Sequence, residues 1–280
     1  MRKVKISLAV LKSDFAGWIV NCKLYIVAIL LIIFSLDNYA PVFEFAKNEG
    51  YRVTPFLFPF LFTHPFMHLF VFTLVILLFS DAPFTNKLQL LMMTRSGKRA
   101  WYVSQVMYLI ICSVVLTAFL IAVPIIRNFG MIVFKNDWGK VWTSLSTAST
   151  VNPSSYFVIS HYSPMEAEVY TAVAFGLIVI FIGMIIMLCN TALRNKSIGI
   201  AIAAIFVILD WMADITDRAE LLWVSPVSWI DIAKTAYSRD VALPSANYTI
   251  TVLFSLNILL MIALFGASSR RDVMSISEEA

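Results

Sequence analysis

The stretch Val169–Leu193, VYTAVAFGLIVIFIGMIIMLCNTAL, contains no Asp, Glu, Lys or Arg. One such residue at the centre of a helix costs about 2.5–3.5 kcal/mol to insert into a bilayer, so a run of this length is what a membrane crossing selects. Roughly 20 residues at about 1.5 Å each cover the hydrocarbon core. Three more runs have the same property: Val53–Ser80, Ala100–Ile126 and Val241–Ser269. Two shorter ones, Leu24–Leu36 and Ser197–Leu209, reach spanning length by taking in Lys23 or Asp37, and Asp210. Working outward from these runs, the 280 residues form a single transmembrane domain, 1–280, with spans near 23–42, 56–80, 100–126, 169–193, 197–213 and 248–268. The expected fold class is an all-α integral membrane protein with six transmembrane helices. Composition agrees, at 60% hydrophobic and 14% charged, against about 45–50% and 25% in soluble domains. That excludes a soluble enzyme, a disulfide scaffold and a disordered chain. Cys22, Cys112 and Cys189 lie in or beside apolar runs and read as small hydrophobes. The formal charge of +4 comes without a basic domain, so nucleic acid is not an expected partner.

Basic residues set the expected orientation. With the N-terminus inside, the inner segments hold 13 of the 21 basic and 5 of the 17 acidic residues, a net of +8 inside against −4 outside. Both termini are expected to be cytoplasmic, in a cell membrane. The basic start Met1–Lys5 resembles a secretory leader, but Lys12, Asp14 and Lys23 interrupt the would-be apolar region, and no cleavage is expected. Leu8, Leu11, Phe15, Trp18 and Cys22 recur at three- and four-residue steps, which predicts that residues 1–22 form an amphipathic helix lying in the inner interface.

The inner loop between spans two and three is the most informative stretch. It runs DAPFTNKLQLLMMTRSGKRAWYVSQ from Asp81 to Gln105. Pro83 stops one helix, Leu88, Leu91 and Met92 give the next a sticky face, and Ser96-Gly97 breaks it before Arg95, Lys98 and Arg99 open the third span. A short helix with one apolar face, held between two spans, suits capture by a soluble partner. A positive-inside anchor is the plainer reading of the same residues.

In layout this chain resembles the permease subunit of type-2 ATP-binding-cassette exporters, and between Asp81 and Gln105 it does so in motif-like detail. The resemblance implies that the short helix couples to a cytoplasmic ATPase, with Asp81, Lys87, Arg95, Lys98 and Arg99 holding that partner and Phe84, Leu88, Leu91 and Met92 lying in its groove. The family often carries a basic residue early in the following span, where this chain has Gln105. It also implies a second permease, identical or related, and a re-entrant element before the last span. A G-x-x-x-x-G-K-[ST] loop is absent, so the chain is not expected to be an enzyme and the nucleotide would be bound elsewhere.

On the outer side, Asp210, Asp214 and Asp217 follow one another at helical steps of four and three, either drawing in a cationic substrate or turned to water where the helix leaves the bilayer. Leu221–Ile230 is apolar, too short to span and broken at Ser225-Pro226. It reads as a helix pair dipping into the outer leaflet or as an interfacial loop held by Trp223 and Trp229. Asp210, Asp214, Ser225 and Pro226 are therefore the substrate-pathway candidates. His64 and His68 stand four apart in the second span with no carboxylate beside them on that helix, so they are expected to be helix-interior histidines, with no metal and no cofactor. Residues 127–168 form a long loop, a lid or a flexible surface. The expected function is export of an amphipathic or hydrophobic substrate, such as a peptide, drug or lipid. The rival expectation is a non-transporting sensor or immunity protein that binds a peptide at its outer face.

Overall fold

The computed structural model describes residues 10–13, 15, 17–84, 93–94, 97–147, 153–193, 195–216, 218–235 and 243–270. Among these, the named elements are all helical, and Val53 and Ile132 form an isolated parallel bridge. Among the described residues five helices are long and apolar enough to cross a membrane, and the chain is a multi-pass membrane protein.

Helix α1, Cys22–Asn48, starts where the Asn21 side chain accepts the Lys23 amide at 3.0 Å. Its 27 residues span about 40 Å, more than the bilayer core, so the helix runs past its expected end near 42 and carries Glu44 and Lys47 beyond it. Val27, Leu31, Ser35, Tyr39 and Phe43 are buried at four-residue steps, one stripe facing the neighbouring helices.

The run expected to cross continuously from 56 to 80 is divided. Phe58–Leu61 forms a short helix, α2, and α3 runs Pro65–Phe79. The reason is local: Pro65 has no amide hydrogen and fits the first turn, where none is needed, while His64 caps that turn by accepting the Phe66 amide at 3.3 Å. The 15 residues of α3 extend about 22 Å, less than a full hydrocarbon core.

Helix α4, Lys98–Arg127, follows Gly97, whose φ of +84° places it in the region that favours glycine. Residues 127–168, expected as irregular loop, carry α5, Gly139–Thr147, and α6, Pro153–His161. Val141, Trp142 and Val158 anchor them from buried positions, with the Phe60 ring stacked on Trp142 at 3.8 Å.

The central element is α7, Pro164–Leu193, which packs against α2, α3 and α4 and against the two long helices that follow. A reciprocal cap starts it: the Ser163 amide donates to Glu166 at 3.0 Å, and the Glu166 amide donates to Ser163 Oγ at 3.4 Å. Helix α8, Lys196–Thr216, returns along α7. At Gly199 the two backbones approach so closely that a Cβ would lie 2.9 Å from the Ile186 carbonyl oxygen.

After α8, the segment read as a helix pair or an interfacial loop holds a four-residue helix, α9, Ala219–Leu222, followed by two 3-10 turns, Ser228–Ile230 and Ile232–Lys234. Pro226 interrupts any longer helix. Val227, Trp229, Ile230 and Ile232 are buried, and both turns pack on α7. Helix α10, Ala246–Arg270, closes the bundle against α7 and presents Phe254, Ile258, Leu259 and Ile262 outward, a face suited to lipid.

Candidate functional site

The end of the bundle that carries Lys23, Lys98 and Lys196 holds a polar strap around the segment leaving α3. Lys23 Nζ donates to Ser80 Oγ at 2.9 Å and forms an ion pair with Asp81. Asn190 of α7 donates through Nδ2 to the Ala82 carbonyl at 2.6 Å, and the Phe84 amide donates to Gln105 Oε1 of α4 at 3.2 Å. Residues 80–84 are thus fixed to α1, α4 and α7 together. The basic partner of Asp81 comes from the first span, while Gln105 satisfies the backbone beside it. Among the coupling candidates, Lys98 and the exposed Arg99 lie in the first turn of α4. Lys87, Leu88, Leu91, Met92 and Arg95 lie outside the described residues. So does Asp217. Close to this end the N-terminal segment docks on α4, where Trp18 Nε1 donates to the Tyr108 hydroxyl at 2.7 Å and Phe15 lies against the same ring.

A buried charge cluster occupies the opposite end. Asp210 is fully buried, so it does not face water where α8 leaves the bundle. Its Oδ2 lies 2.9 Å from His68 Nδ1, and His68 Nε2 meets the Phe62 carbonyl. A carbonyl accepts only, so Nε2 carries a hydrogen and donates. Nδ1 and the carboxylate then hold one proton between them. Asp214, one turn along α8, forms an ion pair with Lys234 in the second 3-10 turn. Asp231 starts that turn by accepting the Ala233 amide at 3.0 Å. Burial pushes the Asp231 carboxyl above its usual range, more than Lys234 and His68 pull it down. Burial works against the Lys234 ammonium too, but the carboxylates of Asp231, Asp210 and Asp214 outweigh it and raise its pKa. Asp210 Oδ1 and Asp214 Oδ2 are buried without hydrogen-bond partners. One imidazole nitrogen and one oxygen from each of Asp210 and Asp214 lie within 4.8 Å of one another, close enough to hold a metal ion.

The other two pathway candidates sit elsewhere. Pro226 lines an apolar crevice of about 660 Å³ between α7, α8 and α10, whose other walls include Phe181, Phe206, Trp223 and Leu256. Ser225 is buried, and its carbonyl accepts from Ser228 Oγ at 2.7 Å. Asp210 and Asp214 do not line this crevice. Of the three carboxylates that sequence reasoning placed on one helix face, Asp210 and Asp214 come together, and Asp231 and Lys234 were missed. The available signal was an acid and a base three residues apart directly after the buried pair Trp229-Ile230. No family model, curated protein or solved structure matches this chain.

Proposed function

We propose that this chain is the permease subunit of a type-2 ATP-binding-cassette exporter, in the cytoplasmic membrane with both termini inside. It works with a separate cytoplasmic ATPase and a second permease, identical or related. The observation that carries this reading is the polar strap at residues 80–84. A soluble motor can drive a membrane bundle only if the loop it pushes is tied to several spans at once, and this loop entrance is tied to three of them through Lys23, Asn190 and Gln105. The docked N-terminal segment gives the same end a second handle on α4. At the far end, the folded-back residues 219–235 suit an outer gate, and the crevice beside Pro226 has apolar walls suited to an amphipathic or hydrophobic substrate such as a lipid, drug or peptide. In this mechanism nucleotide binding draws two ATPases together, their motion pushes the segments following Asp81 and preceding Lys98, and the paired bundles rock between inward- and outward-open states.

The test is a pull-down of the tagged chain in mild detergent, with mass spectrometry of co-purifying proteins, repeated after changing Arg95, Lys98 and Arg99 together to Ala. The expected result is a cytoplasmic ATPase that is lost in the triple variant, while the variant elutes as a folded protein. A stable preparation lacking any ATPase sinks the exporter reading and favours the non-transporting sensor.

A further inference from the structure

We infer that His68, Asp210 and Asp214 form a binding site for a divalent transition-metal ion of the zinc class, at the end of the bundle opposite the polar strap. The inference does not depend on the exporter reading.

Three independent observations converge on a cation. The first is the orientation of His68. Its Nε2–H is committed to the Phe62 carbonyl, so Nδ1 is the ring nitrogen that faces Asp210 Oδ2 at 2.9 Å. The proton those two atoms share is the one a metal ion would displace, leaving Nδ1 and the carboxylate as ligands. A ligating histidine characteristically donates its other ring N–H to a backbone carbonyl or carboxylate, which fixes the tautomer and the ring plane. His68 already has that arrangement.

The second is enclosure. The His68 and Asp210 side chains are each 1% exposed, and Lys234 closes over Asp214 beside them, so a cation held here is shielded from bulk water and its carboxylate ligands bind it more strongly.

The third is uncommitted ligand capacity. Asp210 Oδ1 and Asp214 Oδ2 are buried without partners. Lys234 occupies the other oxygen of Asp214, which leaves it placed to balance charge while Asp214 ligates.

The donor set selects the class of ion. Nitrogen and carboxylate oxygens within 4.8 Å of one another must settle at about 3.4 Å around a tetrahedral zinc with bonds of about 2.0–2.2 Å, the wider separations closing and the 2.9 Å His68–Asp210 contact opening, shifts within reach of side-chain rotation. Mg²⁺ prefers six oxygens and retains its waters, so it suits this dry, nitrogen-containing site poorly. Three protein ligands leave a fourth position for water.

The experiment uses full-length protein carrying a tag without histidines, stripped with chelator in detergent and then loaded with Zn²⁺. After gel filtration, the unmutated chain is expected to retain one zinc per chain, measured by elemental mass spectrometry. His68→Gln and Asp210→Asn are expected to weaken binding at least tenfold in competition with a chromogenic chelator. Asp137→Asn, at an exposed carboxylate, is the control expected to bind as the parent does. Because the buried variants can fail to fold, Co²⁺ is also loaded into the unmutated protein. The expected outcome is a tetrahedral visible spectrum, with an imidazole contribution in X-ray absorption. Failure of the parent to retain either metal overturns the site. So does an octahedral spectrum without imidazole, or retention unchanged in both folded variants.

Discussion

At the residue scale, this protein keeps its polar side chains inside by pairing them across helices. Asn190 shows what one such bond contributes. Its Nδ2 satisfies the Ala82 carbonyl at 2.6 Å in a buried position. Replacing it with Leu, which has the same number of heavy atoms and the same branching, strands that carbonyl, at a cost of about 1–3 kcal/mol. A lower thermal midpoint in detergent is the expected readout. Lys23→Ala differs because the pair with Asp81 is 36% and 51% exposed, so the stability loss stays within about 1 kcal/mol. If residues 80–84 transmit force, that variant folds normally yet loses much of its coupled transport, and the exchange Lys23→Asp with Asp81→Lys recovers part of it. Transport at the parent's level in Lys23→Ala would show that the strap is merely structural. None of these partners could be read from the chain: Asn190 and Ala82 are 108 positions apart, and His68 and Asp210 are 142 apart. The sequence showed that each polar residue lay in or near a span, but not which neighbour would satisfy it.

At the scale of elements, the controlling contact is the crossing of α7 and α8. Gly199 brings the two helices into backbone contact, and the atoms its Cβ would meet include the Ile186 carbonyl and Cα, which cannot swing aside. Gly199→Ala therefore forces the helices apart and is expected to cost about 1–3 kcal/mol, despite the better helix propensity of alanine. Since Asp210 rides on the same helix, the displacement should also loosen its contact with His68. A Gly199→Ala variant as stable as the parent would contradict the close approach. The N-terminal segment offers a gentler test. Trp18→Phe keeps the ring contacts and removes the donor to Tyr108, so a loss of about 0.5–1.5 kcal/mol is expected, with faster protease clipping near residue 20. Of the apolar stripe expected in this segment, Leu11, Phe15 and Trp18 pack against the core, whereas Cys22 is exposed. The sequence did not foresee the division of the second span, although Pro59 and Pro65 were visible, because a proline is tolerated in the first turn of a helix and its presence alone does not say where that turn begins.

At the scale of the whole molecule, the charge distribution predicts a sidedness that labelling can check. In a chain with Cys22, Cys112 and Cys189 replaced, Arg99→Cys should react with an impermeant maleimide only in inverted vesicles. Ser160→Cys, on the exposed part of α6, should react in intact cells. The reverse pattern would turn the bundle over and remove Lys98 and Arg99 from reach of any cytoplasmic ATPase. What the sequence by itself determined is the membrane class and the approximate position of five of the spans. Insertion free energy is close to a local sum along the chain, and a charge-free run such as Val169–Leu193 carries that sum unaided. What only the tertiary structure decided is the rotation and depth of each helix. Those set Asp210 against His68 rather than against water, brought Lys234 back from a loop to Asp214, and gave Asp81 a partner from the first span. Such pairings depend on packing between surfaces far apart in sequence, where a close approach at one glycine changes which side chains meet.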